Sequence, residues 1–142
     1  MRRKIESKRA SGTGDLRRTI EDAAEFYLRG RFRAGEPVRP LEFAHSLGLS
    51  RRYLSRRVKE YFGTRLDDFL RERQLAEAVR LLTTTPLSVQ QVGVASGFGT
   101  EWTFHRCFKA AFGETPAAYR VRERRLLQGT KNEQEPDSGS PT

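Results

Sequence analysis

The sequence predicts an all-α fold in which two similar helical hairpins are joined by a long helix. Three observations lead there. No segment sustains the period-two alternation of a strand. Helix-capping residues recur along the chain, and two stretches fifty residues apart repeat one another.

The elements follow in order. Residues 1–14 are basic and small, which reads as a flexible basic arm. Asp15 is placed to cap a helix running to about Arg33, with Leu16, Ile20, Ala23, Ala24 and Tyr27 on one face. Residues 34–40 hold Gly35, Pro37 and Pro40, a breaker, and Pro40 suits the first turn of the next helix. Leu41, Ala44 and Leu47 give that short helix an apolar edge, and Gly48 stops it. Ser50 reads as the N-cap of a helix containing Leu54, Val58, Tyr61 and Phe62, ended by Gly63.

Thr64 and Asp67 have capping-box spacing for a longer helix, about residues 65–82. Pro86 lies in the break that follows, and Ser88 with Gln91 makes another box for a short helix to Ser96. Thr100 caps a helix ending at Gly113, and Thr115-Pro116 starts the last one, which carries Tyr119. The end of the chain, residues 129–142, lacks apolar side chains past Gly129 and is expected to be disordered. The expected units are therefore 15–64, a linker helix 65–82, and 83–128.

The 142 residues carry a net charge of +9, with 22 Arg against five Lys. A GC-rich genome or selection for bidentate contact with phosphate and guanine would each produce that Arg bias. Residues 16–126 alone hold a net +8, so the excess lies on the part expected to fold, as a polyanion partner requires. The single cysteine, Cys107, excludes a disulfide framework and a multi-thiolate zinc site. The N-terminus has no apolar h-region, and no stretch approaches the roughly 18 apolar residues of a membrane span. With one Cys, two His and no plausible triad, no catalytic residue, cofactor or metal is expected. A soluble cytoplasmic protein is expected.

Residues 50–63 align with 100–113. Arg56 falls on Arg106, Lys59 on Lys109, and Phe62-Gly63 on Phe112-Gly113; Ser50/Thr100, Leu54/Phe104 and Val58/Phe108 are like for like. Upstream, Ala44 and Gly48 match Gly93 and Gly97, with Gly99 extra in the second turn. Each copy is a short helix, a glycine turn and a second helix, the helix-turn-helix pattern. On a helical wheel with Leu54 at zero, Val58 and Tyr61 lie within about 40°, while Ser55, Lys59, Arg52 and Arg56 fill roughly 100–200°. The second copy puts His105, Lys109, Trp102 and Arg106 on the same arc. A cationic stripe recurring on the helix that such motifs insert into the major groove points to DNA.

The chain resembles the DNA-binding domain of the AraC/XylS family of bacterial transcription regulators, over about residues 15–125. The resemblance is carried by Gly97-Phe98, Phe104, Arg106, Phe108-Lys109, Gly113, Thr115-Pro116 and Tyr119-Arg120 in the second repeat. Ala44, Gly48, Ser50, Leu54, Arg56, Lys59 and Gly63 carry it in the first, and Ala78, Leu81 and Leu82 in the linker. Three positions depart: Gly93 stands where the family has Ala, Arg65 where it has Ser or Thr, and Gln74 where it has Arg. Gly93 is expected to loosen its helix by up to ~1 kcal/mol, and Gln74 puts in doubt any polar contact that Arg makes.

The resemblance implies two helix-turn-helix subdomains held by a long linker helix that buries two sides. It also implies recognition helices in successive major grooves about 34 Å apart, with a monomer able to bind an asymmetric promoter site. It implies a regulator, expected to be an activator, whose partners are double-stranded DNA and RNA polymerase, with no membrane and no small-molecule site in this chain. The chain would be a short member of the reader-only type, or the DNA-binding fragment of a longer ligand-responsive regulator. A non-sequence-specific architectural protein is the alternative from another class.

Arg52, Ser55 and Arg56 are expected at base edges from the first helix, and Trp102, His105 and Arg106 from the second. Ser50, Arg51, Lys59, Thr100 and Lys109 are expected at phosphates. Glu101 stabilises a helix N-terminus or accepts from cytosine N4. Its counterpart is Arg51, so the two halves read different sequences. Cys107 falls off the stripe, semi-buried.

Overall fold

Hydroxyl side chains set most of the helix starts in the computed structural model, which describes residues 13–134. Among those residues the helices are α1 (Thr13–Ala34), α2 (Pro40–Ser46), α3 (Arg51–Phe62), α4 (Leu66–Thr84), α5 (Val89–Ala95), α6 (Glu101–Phe112) and α7 (Pro116–Gln134). Ser50 accepts from the Tyr53 amide and Thr100 from Thr103. Ser88 and Gln91 form the reciprocal capping box of α5. Thr115 accepts from the Ala118 amide at 3.1 Å, ahead of Pro116. At the other ends, Gly63 and Gly113 both adopt φ +78°, a left-handed C-cap that only glycine reaches cheaply.

Four local expectations are corrected. α1 begins at Thr13, so Asp15 sits in its first turn and is not the cap. Residues 13 and 14 are therefore helical, while residues 1–12 of the expected arm lie outside the described residues. In α2 the buried side chains are Phe43 and Ala44, whereas Leu41 is exposed. The N-cap of α4 is Arg65, which makes no side-chain cap, and Thr64 Oγ1 is buried without a hydrogen-bond partner. With the start displaced by one residue, Asp67 stands at N2, and its carboxylate receives the Arg51 guanidinium instead. Finally, α7 runs to Gln134, past Gly129, and only residues 135–142 of the expected tail lie outside the described residues.

Two apolar clusters form. Leu16, Ile20, Ala24, Leu28, Phe43, Ala44, Leu54 and Val58 close the first together with Leu66, Phe69 and Leu70 of α4. The second gathers Val92, Phe98, Phe104, Cys107 and Phe108 onto Leu75, Ala78, Leu81 and Leu82 of the same helix. The two α4 sets are offset by roughly 120° on the wheel as well as along the axis. The helix thus serves one core with its start and the other with its end, on different faces. Each fully buried Leu, Val or Phe contributes roughly 1.5–3 kcal/mol, so α4 is the main apolar bond between the halves.

The exit of α4 is held by the last helix. Arg120 donates to the carbonyls of Leu82 and Thr85, and Arg124 to that of Thr85. These guanidinium groups fill carbonyls that a helix C-terminus leaves open.

Candidate nucleic-acid interface

The internal repeat is a repeat in three dimensions. In the first hairpin the Leu49 amide donates to Ala44 O at 3.1 Å; in the second the Phe98 amide donates to Gly93 O at 3.1 Å. Gly48 and Gly97 turn with φ +72° and +79°. Leu54 and Phe104, and Val58 and Phe108, are all fully buried at matching positions. The departure at Gly93 now has a cause. A Cβ there would lie 2.9 Å from Phe104 Cδ2, so the smaller residue on α5 makes room for the larger one on α6. The first repeat solves the same packing with Ala44 and Leu54.

With those core positions fixed, the outward faces of α3 and α6 are fixed too. On α3, Arg51, Arg52, Arg56 and Lys59 are exposed and Ser55 is half-buried. Together with Arg65 and Glu60 they line one shallow depression. No acidic residue occupies the first turn of α3. Cations there oppose the helix dipole, an arrangement that an incoming anion would relieve. The sequence marks Arg65 only as a departure from the resemblance. Its contribution to this depression depends on where α4 starts, which the capping box expected at Thr64 misplaces.

Two phosphate candidates are already engaged. Arg51 donates through Nη2 to both carboxylate oxygens of Asp67, at 2.9 and 3.0 Å. Lys59 Nζ donates to the Gly63 carbonyl at 3.3 Å, at the end of its own helix. Both contacts are solvent-exposed, and such pairs are weak enough to be exchanged.

On α6 the predicted residues separate into two pairs. Trp102 is 69 % exposed, and the Arg106 guanidinium lies over its ring at 4.8 Å from the centroid. This cation–π contact holds both side chains on the outer face. Glu101 and His105 form the other pair, with 3.6 Å between Oε2 and Nε2. That spacing permits Coulomb attraction when His105 is protonated but no hydrogen bond, and His105 Nε2 is itself occluded without a partner. Lys109 is exposed near the helix end, and Cys107 is buried against the second core. Thr100 faces outward as the N-cap.

A cleft between α4 and α6 adds a residue that the helical wheel does not flag. Arg71 lines it together with Arg106, Asp68 and Glu72. Arg71 bonds Asp68 at 3.1 Å. Its place beside α6 rests on tertiary packing, and nothing in the local sequence marks it. The geometry thus presents two helices, unlike in chemistry, with Arg65, the N-cap of α4, beside α3 and Arg71 of α4 beside α6. No helix among the described residues is long and apolar enough to cross a membrane.

Comparison with known proteins places this arrangement. A family model described as a helix-turn-helix domain matches residues 43–122. The HTH-type transcriptional regulator GlxA of Rhizobium meliloti is 39 % identical over 87 residues, which are 59 % of this chain and 27 % of that protein. The probable transcription factor PqrA of Proteus vulgaris is 31 % identical over 94 residues, covering 66 % of this chain and 77 % of its own length. The F1 operon positive regulatory protein of Yersinia pestis is 38 % identical over 74 residues, 52 % of this chain and 25 % of that one. Among solved structures, the DNA-binding domain of the global transcriptional factor AdpA, in complex with a target DNA, superposes with a TM-score of 0.67 at 26 % identity, over 75 % of this chain and 94 % of that one. The chain spans about a quarter of GlxA and of the Yersinia regulator, and most of PqrA.

Proposed function

The chain belongs to the AraC-type helix-turn-helix family, and on that premise we propose that it reads an asymmetric DNA site with two different recognition helices. α3 and α6 enter successive major grooves on one face of the duplex. The observation that carries this reading is the matched burial of the two repeats. With Leu54, Val58, Phe104 and Phe108 all at 0 % exposure, the cationic faces of both helices are forced outward.

Arg52 and Arg56 supply guanine-type contacts from α3, with Ser55 beside them. Trp102 and Arg106 act as one stacked unit on α6, the ring meeting thymine methyls or sugars while the guanidinium bonds a base edge. Ser50 and Thr100 bring helix N-termini to phosphates, and Lys59, Lys109, Arg65 and Arg71 supply further charge. Arg51 joins them once it exchanges Asp67 for a phosphate oxygen. Glu101 stays with His105 as a helix-start device.

The family supports a role in the cell as a cytoplasmic transcription regulator that acts as an activator through RNA polymerase. The Yersinia relative is named a positive regulator, which supports that sign. A site-selected duplex and a scrambled one test the assignment of roles. Arg56→Ala should cost ~1–3 kcal/mol on the selected duplex and relax preference at one base pair. Lys59→Ala should weaken both duplexes about equally. Equal losses on both duplexes for both variants would sink the assignment and favour an architectural role.

A further inference from the structure

Three parts of the chain converge on one backbone oxygen. The Val38 amide, in the loop between α1 and α2, donates to Gly97 O at 2.9 Å. Gln74, midway along α4, donates through Nε2 to the same oxygen at 2.9 Å and to Ser96 O at 3.2 Å. Gly97 is the turn of the second hairpin, three residues before the α6 N-cap, and it is buried. A carbonyl oxygen has two lone pairs, and Val38 and Gln74 use both.

The joint is tight as well as polar. A Cβ on Gly97 would meet Val38 Cγ2 at 2.6 Å and Gln74 Nε2 at 3.4 Å. Gln74 is only 8 % exposed, so its two donated bonds are shielded from competing water and costly to leave unmade. The neutral amide supplies both donors without burying a charge. α4, about 28 Å of helix, joins the halves end to end, and α1 packs against α5 beside it. The Gly97 joint adds a polar tether between the first-subdomain loop and the turn that launches α6.

We propose that Gln74 is a positioning residue for DNA recognition: it holds Gly97 against Val38 and so sets the separation of α3 and α6, and with it the half-site spacing the protein accepts. This rests on the reading that both helices enter DNA. A one-base-pair change in spacing moves a half-site by about 3.4 Å and turns it by about 34°, so a rigid joint discriminates and a loose one does not.

The experiment uses the full chain and a duplex selected from random DNA, rebuilt with its two half-sites one and two base pairs closer or farther apart. Affinities are measured by fluorescence anisotropy for wild type, Gln74→Met and Gln74→Glu. Both variants keep the volume; Met removes both donors and Glu keeps at most one, as the protonated acid, and Met preserves the packing if Glu proves unable to fold. Wild type should prefer one spacing by about tenfold or more, the scale of a mismatched base pair in a specific site. The variants should fall to under about threefold, with random-DNA affinity within about twofold of wild type. A variant that melts lower yet keeps the wild-type spacing preference shows a merely structural role and overturns this proposal alone. A wild type with no site preference overturns the DNA-reading proposal as well.

Discussion

Replacing Gly93 with Ala sets two effects against each other inside α5. Helix propensity favours Ala by ~1 kcal/mol. Against it, the added Cβ would lie 2.9 Å from Phe104 Cδ2, 3.1 Å from Cγ and 3.2 Å from Cβ, where carbon pairs prefer roughly 3.5–4.0 Å. The ring, the closest of these contacts, is packed between Phe98 and Phe108, so α5 and α6 must separate by several tenths of an ångström. Overpacking of this kind costs ~1–3 kcal/mol, which leaves a net loss of ~1 kcal/mol and a Tm lower by about 4 °C for a chain of this size.

In a Phe104→Leu background the ring is gone, and the two substitutions together would reproduce the Ala44–Leu54 pair of the first repeat. There the same Gly93→Ala change should stabilise by ~1 kcal/mol. The sign reversal is the prediction, a coupling of about 0.5–3 kcal/mol. Urea denaturation of wild type, both single variants and the double variant, followed by circular dichroism, measures it. A Gly93→Ala change that stabilises wild type, or that acts equally in both backgrounds, refutes the packing argument.

Asp67→Ala should free Arg51 and remove a negative charge beside the cationic face of α3. Affinity for random duplex should rise about two- to fivefold at low salt and converge with wild type as salt increases. Unchanged low-salt affinity would show that Arg51 never exchanges its partner. The hydrogen bond donated by Tyr27, helped by the Arg31 guanidinium, holds the Glu42 carboxyl below its usual pKa. A depressed carboxylate contributes stability above its unfolded pKa and loses it as pH falls through the folded one. Glu42→Gln should therefore be less stable than wild type at neutral pH, with the gap closing below the ordinary carboxylate range. Melting curves from pH 7 to pH 3 with a constant gap would contradict that link. Trp102→Ala should weaken the selected site more than random DNA and leave Tm nearly unchanged, because the ring is 69 % exposed. A large Tm loss would make Trp102 a packing residue.

What the sequence made legible depended on the range of each interaction. Ser50, Ser88, Thr100 and Thr115 act within three residues of themselves, so their caps could be read locally. The outward faces of α3 and α6 were legible because two aligned copies fix one phase better than either alone. Leu41 was misplaced because a seven-residue helix is too short to fix its own phase, and Phe43 took the core. Thr64 failed because Asp67 is drawn to Arg51, sixteen residues back, a competitor that spacing rules do not see. Gln74 stands out in the sequence as a departure, but its partners lie 22 and 23 residues away across the joint. Gly93 is nearer to hand: the repeat alignment pairs Ala44–Leu54 with Gly93–Phe104, and that exchange of sizes is visible in the sequence itself.

The most direct test of the account is the stoichiometry and symmetry of the selected site. Selection from random DNA with the full chain, followed by titration of the winning duplex, should give one chain per duplex. The site should contain two dissimilar half-sites about one helical turn apart, preferred over random DNA by ~10³ or more. A palindromic site bound by two chains, or a preference below about tenfold for any sequence, would contradict a single chain reading two grooves with unlike helices.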